Sequence, residues 1–237
     1  MNHTAVWSAA LLPVLLAGTG CVVVESDPGP VHTARESVEA GAAENVSVNI
    51  RMGAGKLRLE GGGSKLLDAT FRYSEAVGRP VVRYDLTGFR GRLTVESRGR
   101  TAMGGKITND WDLRLGSRVP VDLTAHLGAG ETELDVSSIP LRSLEVHMGV
   151  GELELKTGKY AKDVNMQVHG GVGEARIILP KDFGAVVDAR GGIGSINARG
   201  LTKRDGRYYN SAYEEGKPAI HMAVRGGVGE ITLSVAN

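Results

Sequence analysis

The sequence predicts an all-β fold: a single-domain parallel β-solenoid with rungs of about 21 residues, Gly-x-Gly bends and less regular strands towards its N-terminal side. Three observations carry this. A glycine-x-glycine unit recurs at Gly53-Ala54-Gly55, Gly128-Ala129-Gly130, Gly149-Val150-Gly151, Gly171-Val172-Gly173, Gly192-Ile193-Gly194 and Gly227-Val228-Gly229. The second glycines of the four central units lie 21, 22 and 21 residues apart, after a step of 75 and before one of 35. Around each unit apolar residues alternate with polar ones, as in Val121, Leu123, Ala125 and Leu127 followed by Leu134 and Val136. Strict alternation marks a half-buried strand. Glycine supplies 34 of 237 residues while aromatics supply 5%, a balance that suits a thin coil filled by small aliphatic side chains. A unit of this kind cannot bury its apolar face alone, so units stack, at ~4.8 Å per rung.

Taken in order, the chain opens with 24 residues free of Asp, Glu, Lys and Arg. An apolar run, Leu11 to Ala17, leads through Gly18-Thr19-Gly20 to Cys21. This order resembles a bacterial lipoprotein signal, which implies a signal peptide over 1–20 and lipidation at Cys21. The same stretch, Ala5 to Val24, also has the length of an uncleaved membrane anchor, about 30 Å as a helix. On either reading the rest of the chain is extracytoplasmic and tied to a membrane. Residues 21–43 mix Pro, Gly, Ala and charge without period and read as a tether. The solenoid domain is expected over 44–237. Within it, 60–120 hold strand-like runs around Tyr73, Tyr84, Leu93 and Trp111, 121–200 hold the regular rungs, and 200–219 form a polar insertion that accounts for the last step of 35.

The run from Asn109 to Leu155, NDWDLRLGSRVPVDLTAHLGAGETELDVSSIPLRSLEVHMGVGELEL, resembles the toast-rack family of bacterial envelope proteins. The likeness extends from about Glu44 to Asn237, including DGRYYNSAYEEG before the last GGVGEITLSV. It implies a non-enzymatic, extracytoplasmic interaction module, related to domains of cell-wall-antibiotic and membrane-stress responses and of adhesins.

Stacking in register creates columns. Two residues before the first glycine stand Arg51, His126, His147, His169, Arg190 and Arg225, all in the outward phase. Directly after the second glycine stand Lys56, Glu131, Glu152, Glu174, Ser195 and Glu230. The His/Arg column reads as a solvated face, as a docking strip for an anionic partner, or as a transition-metal site of His126, His147 and His169, although a flat ladder splays its imidazoles. The Glu column reads as solvated. Tyr208, Tyr209 and Tyr213 of the insertion are either a partner contact or a flap packed on the coil.

Other chemistries find no support. A phosphate-cradling glycine loop needs a following helix, and here each unit leads into a strand. No serine stands in a nucleophile-elbow setting, so no catalytic residue, metal or cofactor is assigned. Charges of 28 Lys+Arg against 27 Asp+Glu leave a net +1, unlike a nucleic-acid binder. A single cysteine excludes an internal disulfide framework. The expected function is thus a non-catalytic interaction or scaffold module of the envelope, with membrane contact through the lipid anchor and a protein partner or second copy at the solenoid edges. The alternative is an anion- or metal-binding sensor using the His/Arg ladder.

Overall fold

The structure, a computed structural model, describes residues 28–98 and 107–236. The leader and Cys21 lie outside them. Fourteen strands and no helix are found there: β1 Val31–Val38, β2 Asn45–Gly63, β3 Leu67–Ser74, β4 Val81–Thr87, β5 Arg90–Glu96, β6 Asn109–Gly116, β7 Val121–Asp135, β8 Leu141–Lys156, β9 Val164–Leu179, β10 Gly184–Arg190, β11 Ile193–Arg199, β12 Thr202–Arg204, β13 Arg207–Tyr209 and β14 Ala219–Val235.

Strands β2, β7, β8, β9 and β14 are long because each runs through its Gly-x-Gly bend, giving two arms that face each other across the core. They stack in parallel with the second glycines in line, Gly55 on Gly130, Gly151, Gly173 and Gly229. Each of these glycines has φ between +136° and +140°, backbone that side-chain-bearing residues rarely adopt. The inward phase read from the sequence is the core: Leu123, Ala125, Val146, Val168, Val187, Val224 and Leu233 are at most 1% exposed.

The stack ends differently on its two sides. On the N-terminal side β5 and β6 pair in parallel with the first and second arms of β2. Antiparallel strands then close both arms, β4 on β5, and β3 followed by β1 on β6. On the C-terminal side β10 and β11 pair with the two arms of β14. The hairpin β12–β13 covers β10, while β11 pairs with β14 alone.

Three expectations need correction. Residues 31–38, read as tether, form β1, because Val31 to Val38 pair residue by residue with Leu67 to Ser74. The fourth regular rung is broken: Gly191-Gly192 interrupt it, so β10 and β11 are separate strands. The rungs also do not stack in chain order. The last unit slides between the third and fourth, giving β9–β14–β10. There β14 has parallel neighbours on both edges, and its inward Ile220, Met222, Val224 and Leu233 are almost wholly covered. The insertion 200–219 is the connection that permits this return.

Candidate functional site

In-register stacking turns the outward position of each first arm into a continuous ladder. Its order is Arg51, His126, His147, His169, Arg225 and Arg190, with the last two exchanged relative to chain order. The imidazoles stack face to face: His126 and His147 have centroids 4.8 Å apart at 11°, His147 and His169 5.0 Å apart at 8°. The spacing is that of the strands themselves, so the rungs act as the ruler. Next to this column runs a second, in which Glu145 Oε1 lies 2.7 Å from His147 Nε2 and Gln167 Oε1 lies 3.4 Å from His169 Nε2.

This geometry argues against the metal reading. His147 Nε2 and His169 Nε2 are each turned to a residue two positions back on their own strand, and the three rings lie stacked and nearly parallel, so they do not converge. Among the described residues no group of three or more His, Cys, Asp or Glu is placed to hold a metal ion. A tetrahedral site needs convergent donors at ~2.0–2.1 Å, and parallel rings a strand apart cannot supply them.

The ladder is not equally free along its length. Asp188 on β10 takes Arg225 Nη2 at 3.0 Å and Arg190 Nε at 3.2 Å. Arg225 also donates from Nη1 to the Asp188 carbonyl. The hydrogen bond from Arg225, with the charge of both guanidinium groups, holds the Asp188 carboxyl below its ordinary range. At the other end the register neighbour of Arg51 is Glu96, which is ion-paired with Arg83. Arg51 and the three histidines therefore form the part of the ladder outside the Asp188 pairing. They line an open groove of 680 Å³ with Met52, Ser97 and the first-arm glycines. Ser97 Oγ, on its lining, has no hydrogen-bond partner among the described residues. A groove of 810 Å³ along the turns, between Glu44 and Asp163, mixes Arg142, Lys159 and Lys162 with Asp163 and does not gather one kind of chemistry.

The column after the bend behaves as a solvated face. Lys56 Nζ meets Glu131 at 2.5 Å, a hydrogen bond that raises the pKa of that ammonium, and Arg176 reaches both Glu174 and Glu154. Glu230 accepts from Asn197 Nδ2. Ser195 closes the column on β11 and Glu152 stands midway along it.

The tyrosines separate into different roles. Tyr208 is buried in the core beneath the β12–β13 hairpin, with Lys203 Nζ 5.1 Å from its ring centroid. Tyr209 packs edge-on against Tyr213 at 5.0 Å and under Arg204. The insertion is thus a flap over β10, fixed by the buried Asn210. Its amide accepts from the Ala185 N–H and donates to the Pro180 and Phe183 carbonyls.

One surface was not singled out from the sequence. The residues between the paired glycines form an apolar ridge on the outer corner, running Ala54, Ala129, Val150, Val172, Val228 and Ile193. Val150, Val172 and Val228 are 46–52% exposed and Ile193 74%. The signal was present as the middle letter of each unit, which grows from Ala to Val to Ile along the stack.

These features can be set beside known proteins. A family model described as the N-terminal domain of toast_rack, DUF2154, matches residues 27–178. The chain belongs to the toast-rack family. A crystal structure from Clostridium sporogenes ATCC 15579, described as a "putative cell adhesion protein", superposes with a TM-score of 0.83 at 32% identity. That match covers 87% of this chain and all of the other. Two structures described as a "putative adhesin", from Bacteroides fragilis NCTC 9343 and Parabacteroides merdae ATCC 43184, share 12% identity with TM-scores of 0.27. They cover 86% and 88% of this chain and 97% of their own. No curated protein matches the sequence. The ladder of this toast-rack chain, with the groove it lines, is its candidate site.

Proposed function

We propose that this chain is a non-catalytic interaction module of the bacterial cell envelope, held at a membrane by lipidated Cys21, and that it engages an anionic partner along the groove of Arg51, His126, His147 and His169. The observation that carries this reading is the stack of three imidazoles between Arg51 and Arg225, open to solvent on one side. Evenly spaced donors along a flat strip suit an extended partner with repeated negative groups better than a small compact one. The adhesion description of the Clostridium sporogenes protein, which shares the fold over its full length, supports a binding role over an enzymatic one. Membrane attachment and a part in adhesion or envelope stress belong to the same proposal.

Histidine is the side chain that gains charge in the mildly acidic range. A polyanion binds the charged imidazolium form better than the neutral imidazole, so partner binding and proton uptake are linked. The full chain in detergent micelles is therefore expected to bind long-chain polyphosphate, and to bind it more tightly near pH 5.5 than near pH 7.5. Replacing His126, His147 and His169 together by Ala should weaken binding about tenfold at the lower pH, equivalent to about 1.4 kcal/mol, and flatten the pH dependence. Fluorescence anisotropy with labelled polyphosphate reads both effects. A triple variant that binds as tightly as the parent chain at both pH values would remove the groove from the proposal.

A further inference from the structure

We propose that β11 is the pairing edge of a tail-to-tail dimer, in which the β11 strands of two copies of this chain run antiparallel about a two-fold axis through Asn197. The two ends of the stack are unequal. The N-terminal side is closed on both arms by antiparallel strands, whereas on the C-terminal side only β10 is covered. Strand β11 pairs with β14 on one edge and with nothing among the described residues on the other. Its inward Ile196 and Ala198 are half-buried, while their partners Ile231 and Leu233 one strand deeper are 4% and 0% exposed. An uncovered edge presents unpaired N–H and C=O groups, and proteins guard such edges with charged residues, proline or bulges. Here Arg199 at the far end is the strand's one charge.

Edge chemistry and charge favour a second copy as the occupant. The outermost strands at the opposite end, β1 and β4, carry Arg35, Glu36, Arg83 and Asp85, charges of the kind that guard an edge; the β11 edge instead meets a second β11 edge, a contact that is isologous and stops at two. With Asn197 on the axis, Ile196 of one copy lies opposite Ala198 of the other on the same face, so each half-buried pair covers its mate. On the outer face Arg199 stands across from Ser195 of the second copy. One strand beyond that serine lies Glu230, about 10 Å away between backbones and within the joint reach of the two side chains. Among the described residues Arg199 forms no ion pair, and the axis generates the Arg199–Glu230 pairing twice.

Sedimentation equilibrium of the full chain in density-matched detergent tests this. The unaltered chain is expected to show a concentration-dependent monomer–dimer equilibrium in the micromolar range with no larger species. The double variant Ser195→Lys, Asn197→Lys places lysines on the outer face of the edge, where folding does not need the native side chains. It should remain monomeric with an unchanged circular dichroism spectrum. A monomeric parent chain, a dimer that survives both lysines, or growth beyond two copies would each overturn the proposal. Val150→Lys on the corner ridge is the control and should leave the dimer intact; loss of dimer there would move the interface to the ridge and equally overturn it.

Discussion

Gly173→Ala is expected to lose about 4 kcal/mol or more of stability, at the severe end of the range for a single substitution. Two effects act together. Gly173 has φ +137°, and a Cβ built there would lie 1.8 Å from the Gly151 carbonyl oxygen of the rung below. That oxygen belongs to backbone fixed by its own rungs, so it cannot move aside without parting the stack. The same approach recurs at 1.9 Å for Gly151 on Gly130 and 1.8 Å for Gly229 on Gly173. Gly78 separates the two effects. It also has positive φ, +77°, but a Cβ there would meet nothing within 4 Å, so Gly78→Ala should cost only the backbone strain of about 1–2 kcal/mol. Urea unfolding followed by circular dichroism measures both variants. Equal costs would mean that the glycine columns are tolerant of a side chain and that the rungs are not in van der Waals contact at the bend.

The second large effect is expected at the closed end. Trp111→Ala should cost about 3–5 kcal/mol, as for other buried aromatic residues cut to alanine. Trp111 is 1% exposed and meets Phe71 edge-on at 5.4 Å. Its Nε1 donates to Asn109 Oδ1 at 2.8 Å, and Asn109 in turn donates from Nδ2 to the Ala54 carbonyl at the first bend. Removing the indole leaves a cavity and strips a buried amide of a partner, at the point where β6 joins β2. Trp111→Phe keeps most of the bulk and loses the N–H, so it should cost nearer 1–2 kcal/mol. Thermal unfolding of the pair, compared with the parent, reads the difference. A small cost for both would show that the antiparallel strands on β6 are an appendage rather than a structural end to the stack.

The rungs were legible because glycine spacing and period-two alternation are local properties of a strand that must bend and bury one face. From them followed the inward residues, the outward His/Arg and Glu columns, and the position of the irregular strands before Val121. Stack order was not legible in the same way. Alternation says which side of a strand faces the core but not which strand lies beside it, and the 20-residue insertion allows the last unit to stack outside or to return inward. One clue did exist. Gly170-Gly171, Gly191-Gly192 and Gly226-Gly227 replace the Met or Leu plus glycine of earlier rungs, and these three units turn out to be neighbours in the stack. β1 was missed because His32, Thr33, Arg35 and Glu36 give it a polar surface; its place is set by hydrogen bonding to β3, which composition does not encode. The corner ridge was missed because the glycines drew attention and the residue between them did not.

The claim on which the ladder and the open edge both depend is that β14 lies between β9 and β10. Disulfide trapping tests it most directly, in a background with Cys21 replaced by Ser. Facing residues on adjacent strands stand about 5 Å apart, within bridging range, whereas residues two strands apart stand near 10 Å, beyond it. His169→Cys with Arg225→Cys should close a disulfide on mild oxidation, and His169→Cys with Arg190→Cys should not. Bridging of 169 to 190 in place of 169 to 225 would contradict the inserted strand, and with it the order of the ladder and the position of β11 at the edge.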